Sequence, residues 1–272
     1  MINPLTRRRD DRPDRFRRGV YLLPSMMTVS NLLCGYASVV YSTRGDFDTA
    51  AVLIGVAMIV DTLDGFFARL THSQSAFGAE LDSLADVVSF GVAPAILAFT
   101  WGLWPLGRFG WAAGFVYVTA AALRLARFNI QGMTVTDKRY FAGLPSPAAA
   151  SVTAATVFLY PWGLQDPRVA ALALPMVLVP GFLMVSTIRF RSVKAIDVGW
   201  RRSPLVLLVG AVVIAAIASH PRIALVVLSY TYVLAALVLF VYSRVRRRPP
   251  AGTDKPAAAP DSHGPPVTDK HE

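Results

Sequence analysis

The apolar residues of this chain come in long blocks, and most of its charges sit between the blocks. A helix needs about 20 apolar residues to cross the hydrocarbon core of a bilayer. Eight stretches read as candidate spans: 20–42, 49–70, 78–100, 106–128, 147–164, 169–189, 204–219 and 223–243. Inside lipid every backbone N–H and C=O must be bonded within the protein, which leaves helices and closed barrels. Blocks of this length predict an all-α polytopic membrane bundle of about eight transmembrane helices. The composition agrees: 16% of the residues are charged, against about 25% in soluble domains, and the mean hydropathy is +0.47.

An even number of spans puts both termini on one side, and Lys and Arg favour the cytoplasm. Of the 27 basic residues, only Arg44, Arg108, Arg168 and Arg222 lie in the loops of the opposite side or at the span ends that face it. The other 23 flank the cytoplasmic ends, so both termini are expected in the cytoplasm and the protein in the cytoplasmic membrane. The net charge of +10 is then explained by topology and by contact with anionic membrane lipids. The basic residues form no continuous face, so nucleic acid is not an expected partner. Residues 1–19 read as a basic cytoplasmic arm, 20–245 as the membrane domain, and 246–272, rich in Pro, Ala and charge, as a disordered cytoplasmic tail. The arm lacks the small-residue cleavage site of a secretory signal. A single cysteine, Cys34, excludes a disulfide framework and a multi-thiolate metal site.

Charge inside a span is expensive and marks function by default. Asp61 and Asp64 lie late in the second span, and Asp82 and Asp86 lie early in the third. Spacings of three and four put each pair on one helix face. The short connection around residues 72–77 makes the two helices antiparallel neighbours, so the four carboxylates can converge. Asp86 is eight residues past Gly78, about 12 Å along the helix, which places the cluster in the cytoplasmic leaflet. Four like charges need a cation to compensate them, and Arg69 alone is too little. All-oxygen ligands without His or Cys suit a hard divalent ion, Mg²⁺ or Mn²⁺, singly or as a pair, a common device for phosphoryl chemistry. The same carboxylates are also compatible with a cation or proton path through a transporter. Gly65 and Gly78 allow close approach of a ligand or a backbone. Arg69, one turn beyond Gly65, and Ser75, in the connecting loop, can reach a phosphate.

Written out, residues 61–86 are DTLDGFFARLTHSQSAFGAELDSLAD, that is D-x2-D-G-x2-A-R-x8-G-x3-D-x3-D. This run resembles the signature of the CDP-alcohol phosphatidyltransferases at every fixed position. Members of that family move a phosphatidyl group from a CDP-lipid to an alcohol and release CMP. The resemblance implies that Asp61, Asp64, Asp82 and Asp86 hold the metal, with Asp86 also the general base. It implies that Gly65, Arg69 and Ser75 contact the CDP-lipid, and that Gly78 permits close packing beneath the nucleotide. Further segments are similar to the bacterial and archaeal phosphatidylserine synthases of the family: LPSMMTVSNLLCG in the first span, SFGVAPA at 89–95, LRLARFN at 123–129 and FAGLPSPAAA at 141–150. That likeness implies CDP-diacylglycerol and L-serine as substrates, and the family habit implies a homodimer.

A serine pocket must meet a carboxylate and an ammonium. Arg124, Arg127, Asn129 and Ser146 are the candidates. Arg127 can take the carboxylate as a bidentate pair; the alternative for both arginines is to snorkel as positive-inside anchors. Asn129 reads first as a helix-end cap, and Pro145–Ser146–Pro147 most simply as a turn into the fifth helix, with the pocket as the second reading for both. Thr28 and Asn31 either touch the nucleotide or hydrogen-bond between helices. Trp101 and Trp104 suggest an aromatic belt at the outer interface. A sibling activity with glycerol 3-phosphate or an inositol phosphate as acceptor would need a denser basic pocket than the scattered Arg and Lys provide.

Overall fold

The structure is a computed structural model that describes residues 14–70, 76–134, 140–186, 189–191 and 204–246. Each expected span overlaps a helix, but two are shorter than expected: the helix over the expected 147–164 ends at Leu159, and that over the expected 169–189 ends at Val185, with Arg189 in a strand. α1 is Asp14–Thr43 and α2 is Phe47–Leu70. A helical rod over 76–106 follows, made of α3 (Ala76–Asp86), a π segment (Val87–Val92), α4 (Ala93–Ala98), a second π segment (Phe99–Leu103) and a closing 3-10 turn (Trp104–Leu106). Then come α5 (Arg108–Thr134), α6 (Ser146–Leu159), α7 (Pro167–Val185), α8 (Pro204–Ser219) and α9 (Pro221–Arg246). The strands among the described residues are two of three residues each, β1 (Tyr140–Ala142) and β2 (Arg189–Arg191), antiparallel with Phe141 opposite Phe190.

Among the described residues, five helical stretches are long and apolar enough to cross a membrane by length and composition: Phe47–Phe67, Phe77–Leu106, Arg108–Ile130, Pro167–Val185 and Pro221–Val238. Ser146–Leu159 and Leu208–Ser219 are apolar but shorter. The chain is therefore a membrane-embedded helical protein. α1 begins inside the basic arm, six residues before the expected start of the first span. Most of that arm and nearly all of the 246–272 tail lie outside the described residues, as do His72 and Ser75.

The rod over 76–106 is the axis of the bundle. It packs against α1, α2, α5, α6 and α7, and it supplies Phe90, Ala93, Leu97, Ala98, Trp101 and Leu103 to the buried core. The first of its two π segments has a local cause. Pro94 has no N–H to return to the carbonyl four residues back, so the ladder is broken there whatever the neighbours do. In the second, Gly102 brings the backbone against Leu164: a Cβ there would lie 2.9 Å from Leu164 Cδ1. Beside it, Trp101 is buried, its indole Nε1 donates to the Tyr160 carbonyl at 2.7 Å, and its own carbonyl accepts from Leu164 N at 2.8 Å. Trp101 thus pins the α6–α7 connection and is not part of a lipid-facing belt; Trp104 is half exposed.

α9 is fastened at its start, where Arg222 forms an ion pair with Asp48 of α2 at 3.1 Å and lies 5.0 Å over the Phe158 ring of α6. Both charges are nearly half exposed, so Arg222→Ala is expected to cost less than about 1 kcal/mol. A detergent-phase thermal melt should show a small downward shift that added salt reproduces in the wild type.

Candidate active site

α2 delivers Asp61 and Asp64, and α3 delivers Asp82 and Asp86. Asp61, Asp82 and Asp86 each offer one carboxylate oxygen such that all three oxygens lie within 4.8 Å of one another. Asp64 faces α1. Its Oδ2 accepts from Thr28 Oγ1 at 2.6 Å, and its Oδ1 is buried with no hydrogen-bond partner among the described residues. The i, i+3 and i, i+4 spacings therefore bring the carboxylates to one place, with three in the cluster and Asp64 next to it.

α1 supplies the surrounding donors. Asn31, wholly buried, donates its Nδ2–H to Asp86 Oδ1 at 3.3 Å. Thr28 and Asn31 thus make interhelical bonds to the acidic residues, which is one of the two readings their sequence positions allowed. Asn31 is itself gripped from the rod, since Ser89 Oγ donates to its main-chain carbonyl at 2.9 Å. Gly65 lies directly after Asp64 on α2, Gly78 sits in the first turn of α3, and Arg69 is in the last turn of α2.

The two candidate arginines part company. Arg124 is close enough to act electrostatically on Asp61 and Asp86. Its Nη1 donates to Ser146 Oγ at 2.8 Å, and its buried Nε has no partner. Among the described residues no carboxylate is within ion-pair distance of it. Arg127 instead reaches the Val185 carbonyl at 3.4 Å on the exposed side. Ser146 is wholly buried at the first turn of α6, behind Pro145, so it combines the turn with a place facing Arg124. Asn129 does not end its helix: α5 continues to Thr134, and Asn129 Nδ2 donates to Ser83 Oγ of α3 at 3.0 Å.

Several features had no sequence signal strong enough to find them: the Ser89–Asn31 bond, the Ser83–Asn129 bond, and two buried hydroxyls without partners among the described residues, Tyr117 and Thr153. Each depends on which helices face each other.

The donor set tests the fit of a metal. Three converging carboxylate oxygens repel one another strongly without a cation, and the orphaned Asp64 Oδ1 is an acceptor that no described N–H or O–H satisfies. A hard divalent cation meets both needs, so the residues fit such an ion.

A family model described as CDP-alcohol phosphatidyltransferase matches residues 21–185, which include the four aspartates. A Helicobacter pylori protein named CDP-diacylglycerol--serine O-phosphatidyltransferase is 35% identical over 228 residues, covering 84% of this chain and 94% of that protein. A Bacillus subtilis protein of the same name is 33% identical over 172 residues, 63% of this chain and 91% of its own length. An archaetidylserine synthase from Methanothermobacter thermautotrophicus is 37% identical over 173 residues, 63% of this chain and 70% of its own. With the signature, the carboxylate cluster and the family match on the same helices, the chain belongs to the CDP-alcohol phosphatidyltransferase family.

Proposed function

We propose that the protein transfers the phosphatidyl group of CDP-diacylglycerol to the hydroxyl of L-serine, giving phosphatidylserine and CMP. The observation that carries the reading is the convergence of Asp61, Asp82 and Asp86 at the α2–α3 pair, inside a family match whose relatives are named for this reaction. In the reaction the serine oxygen forms a bond to the lipid-bearing phosphorus. The bond from that phosphorus to the bridging pyrophosphate oxygen breaks, and CMP departs. The serine hydroxyl proton passes to Asp86. An alcohol is a weak nucleophile at neutral pH, and a positioned base is worth about 10²–10⁴-fold.

Asp61, Asp64, Asp82 and Asp86 are the residues that would hold Mg²⁺ or Mn²⁺. Such an ion supplies charge neutralisation for the pyrophosphate and its leaving oxygen. The chain's own residues do the rest. Thr28 and Asn31 orient the carboxylates from α1, and Gly65, Arg69, Ser75 and Gly78 are assigned to the CDP-lipid on the strength of the family signature. Arg124, with Ser146, faces the acceptor. Arg127 and Asn129 lie outside that contact, as a peripheral basic residue and an α3–α5 tie. The cluster sits at the cytoplasmic end of the membrane domain, with both termini on that side, the basic arm over 1–19 and the tail over 246–272 flanking a domain over 20–245. Eight crossings and a homodimer complete this reading.

The transporter alternative has no support in the family match. Purified protein in detergent should release CMP from CDP-diacylglycerol only when L-serine and Mn²⁺ or Mg²⁺ are both present. Chelation should abolish release, and re-addition of the ion should restore it. Release driven by glycerol 3-phosphate or an inositol phosphate would retain the family chemistry and overturn serine; no release from folded protein with any acceptor would overturn the enzyme.

A further inference from the structure

We propose that Ser89 is a positioning residue for Asp86 and acts through Asn31. The inference rests on the assignment of Asp86 to the reacting site. Asp86 is the last residue of α3, and the π segment that contains Ser89 begins at the next position. Ser89 and Asn31 are both wholly buried. From the rod, two residues three positions apart hold Asn31 at two points: Ser89 Oγ donates to its main-chain carbonyl at 2.9 Å, and Asp86 Oδ1 accepts from its Nδ2 at 3.3 Å.

The approach is made possible by Gly35. In an α-helix the carbonyl of residue 31 points toward residue 35, so a side chain at 35 would cover the oxygen that Ser89 reaches. A Cβ on Gly35 would lie 2.7 Å from Ser89 Cα and overlap its side chain. Gly35 therefore opens the surface of α1 at the point where the Ser89 hydroxyl docks.

The bond has a use beyond cohesion. The Asn31 amide keeps its Oδ1 buried and without a partner, an arrangement that costs about 1–3 kcal/mol. What the amide retains in exchange is an N–H aimed at Asp86. Fixing the Asn31 backbone fixes where that N–H points, and so which Asp86 oxygen remains turned toward Asp61 and Asp82. Supports of this kind behind a carboxylate that holds a metal are worth about 10–100-fold in metal affinity or activity.

The test is a mutant cycle on the full-length protein, with Mn²⁺ binding read directly by electron paramagnetic resonance and kcat and KM read from CMP release. Ser89→Ala is expected to weaken Mn²⁺ binding and lower kcat, each about 10-fold, with KM for CDP-diacylglycerol and serine within about twofold. Because the effect runs through the Asn31 amide, Ser89→Ala introduced into an Asn31→Ala background is expected to change kcat less than about twofold. Losses that multiply in the double variant overturn the proposal. So does a Ser89→Ala protein that melts lower but binds Mn²⁺ and turns over like the wild type. Should Ser89→Ala fail to fold, Ser89→Cys, of similar size and a weaker donor, carries the same comparison. If Asp86→Asn retains turnover, the functional reading itself falls; if Asp86→Asn is inactive while the Ser89 and Asn31 effects multiply, only the present inference falls.

Discussion

Asp86→Asn is expected to lower kcat by about 10³-fold while leaving a folded protein that still binds CDP-diacylglycerol. An amide in place of the carboxylate has nearly the same shape and keeps a carbonyl oxygen for the Asn31 N–H that now reaches Asp86 Oδ1. It cannot take a proton from an alcohol. It also removes one of three negative charges whose oxygens lie within 4.8 Å. That repulsion is a cost to the metal-free fold, so the variant is expected to melt no lower than the wild type when both are stripped of divalent ions. The same substitution should narrow the stabilisation that Mn²⁺ gives, since one ligand is lost. Measuring CMP release, CDP-lipid binding and the two melting temperatures on one preparation separates the base from a structural residue. Residual turnover within about tenfold of wild type would remove Asp86 from the role.

The membrane class and the acidic cluster were legible in the sequence for simple reasons. Apolar blocks separated by charge leave few alternatives in lipid, and the expected seventh span, 204–219, coincides with α8. Two pairs of aspartates at helical spacing across a short connection can hardly avoid meeting. The limits of legibility also have physical causes. A membrane helix that is apolar on most sides carries little record of which side faces protein. Trp101 looked like an interfacial anchor, yet its indole finds the Tyr160 carbonyl inside the bundle. The sequence offers Arg127 for the serine carboxylate, but α6 brings Ser146 to Arg124, one turn earlier, while Arg127 meets the Val185 carbonyl of α7. Asp64 shares a helix face with Asp61, but Thr28 on α1 draws it aside. The break at Pro94 is visible in the sequence, and the close packing of Gly102 on Leu164 is not.

That separation of the arginines makes the second strong effect an acceptor-specific one. Arg124→Gln is expected to lower kcat/KM for L-serine by about 10²-fold, whereas Arg127→Gln should change it less than about threefold. A guanidinium has five donors in a fixed fork. Among the described residues, Arg124 spends one on Ser146 and leaves its buried Nε unmatched. A cation so placed, without an ion pair, is poised for an incoming anion, and the serine carboxylate can meet two of its N–H groups side by side. Losing one partner of a buried, hydrogen-bonded charge pair costs about 2–5 kcal/mol. Arg124 also acts on Asp61 and Asp86, so its removal could depress turnover without touching the acceptor. L-serine methyl ester distinguishes the two effects, because it keeps the hydroxyl and the amine but not the carboxylate charge. If Arg124 holds the carboxylate, the wild type prefers serine to the ester and Arg124→Gln loses most of that preference, with KM for CDP-diacylglycerol little changed. Equal losses for both acceptors would mean that Arg124 serves the aspartates alone, and a rise confined to the CDP-diacylglycerol KM would move it to the pyrophosphate.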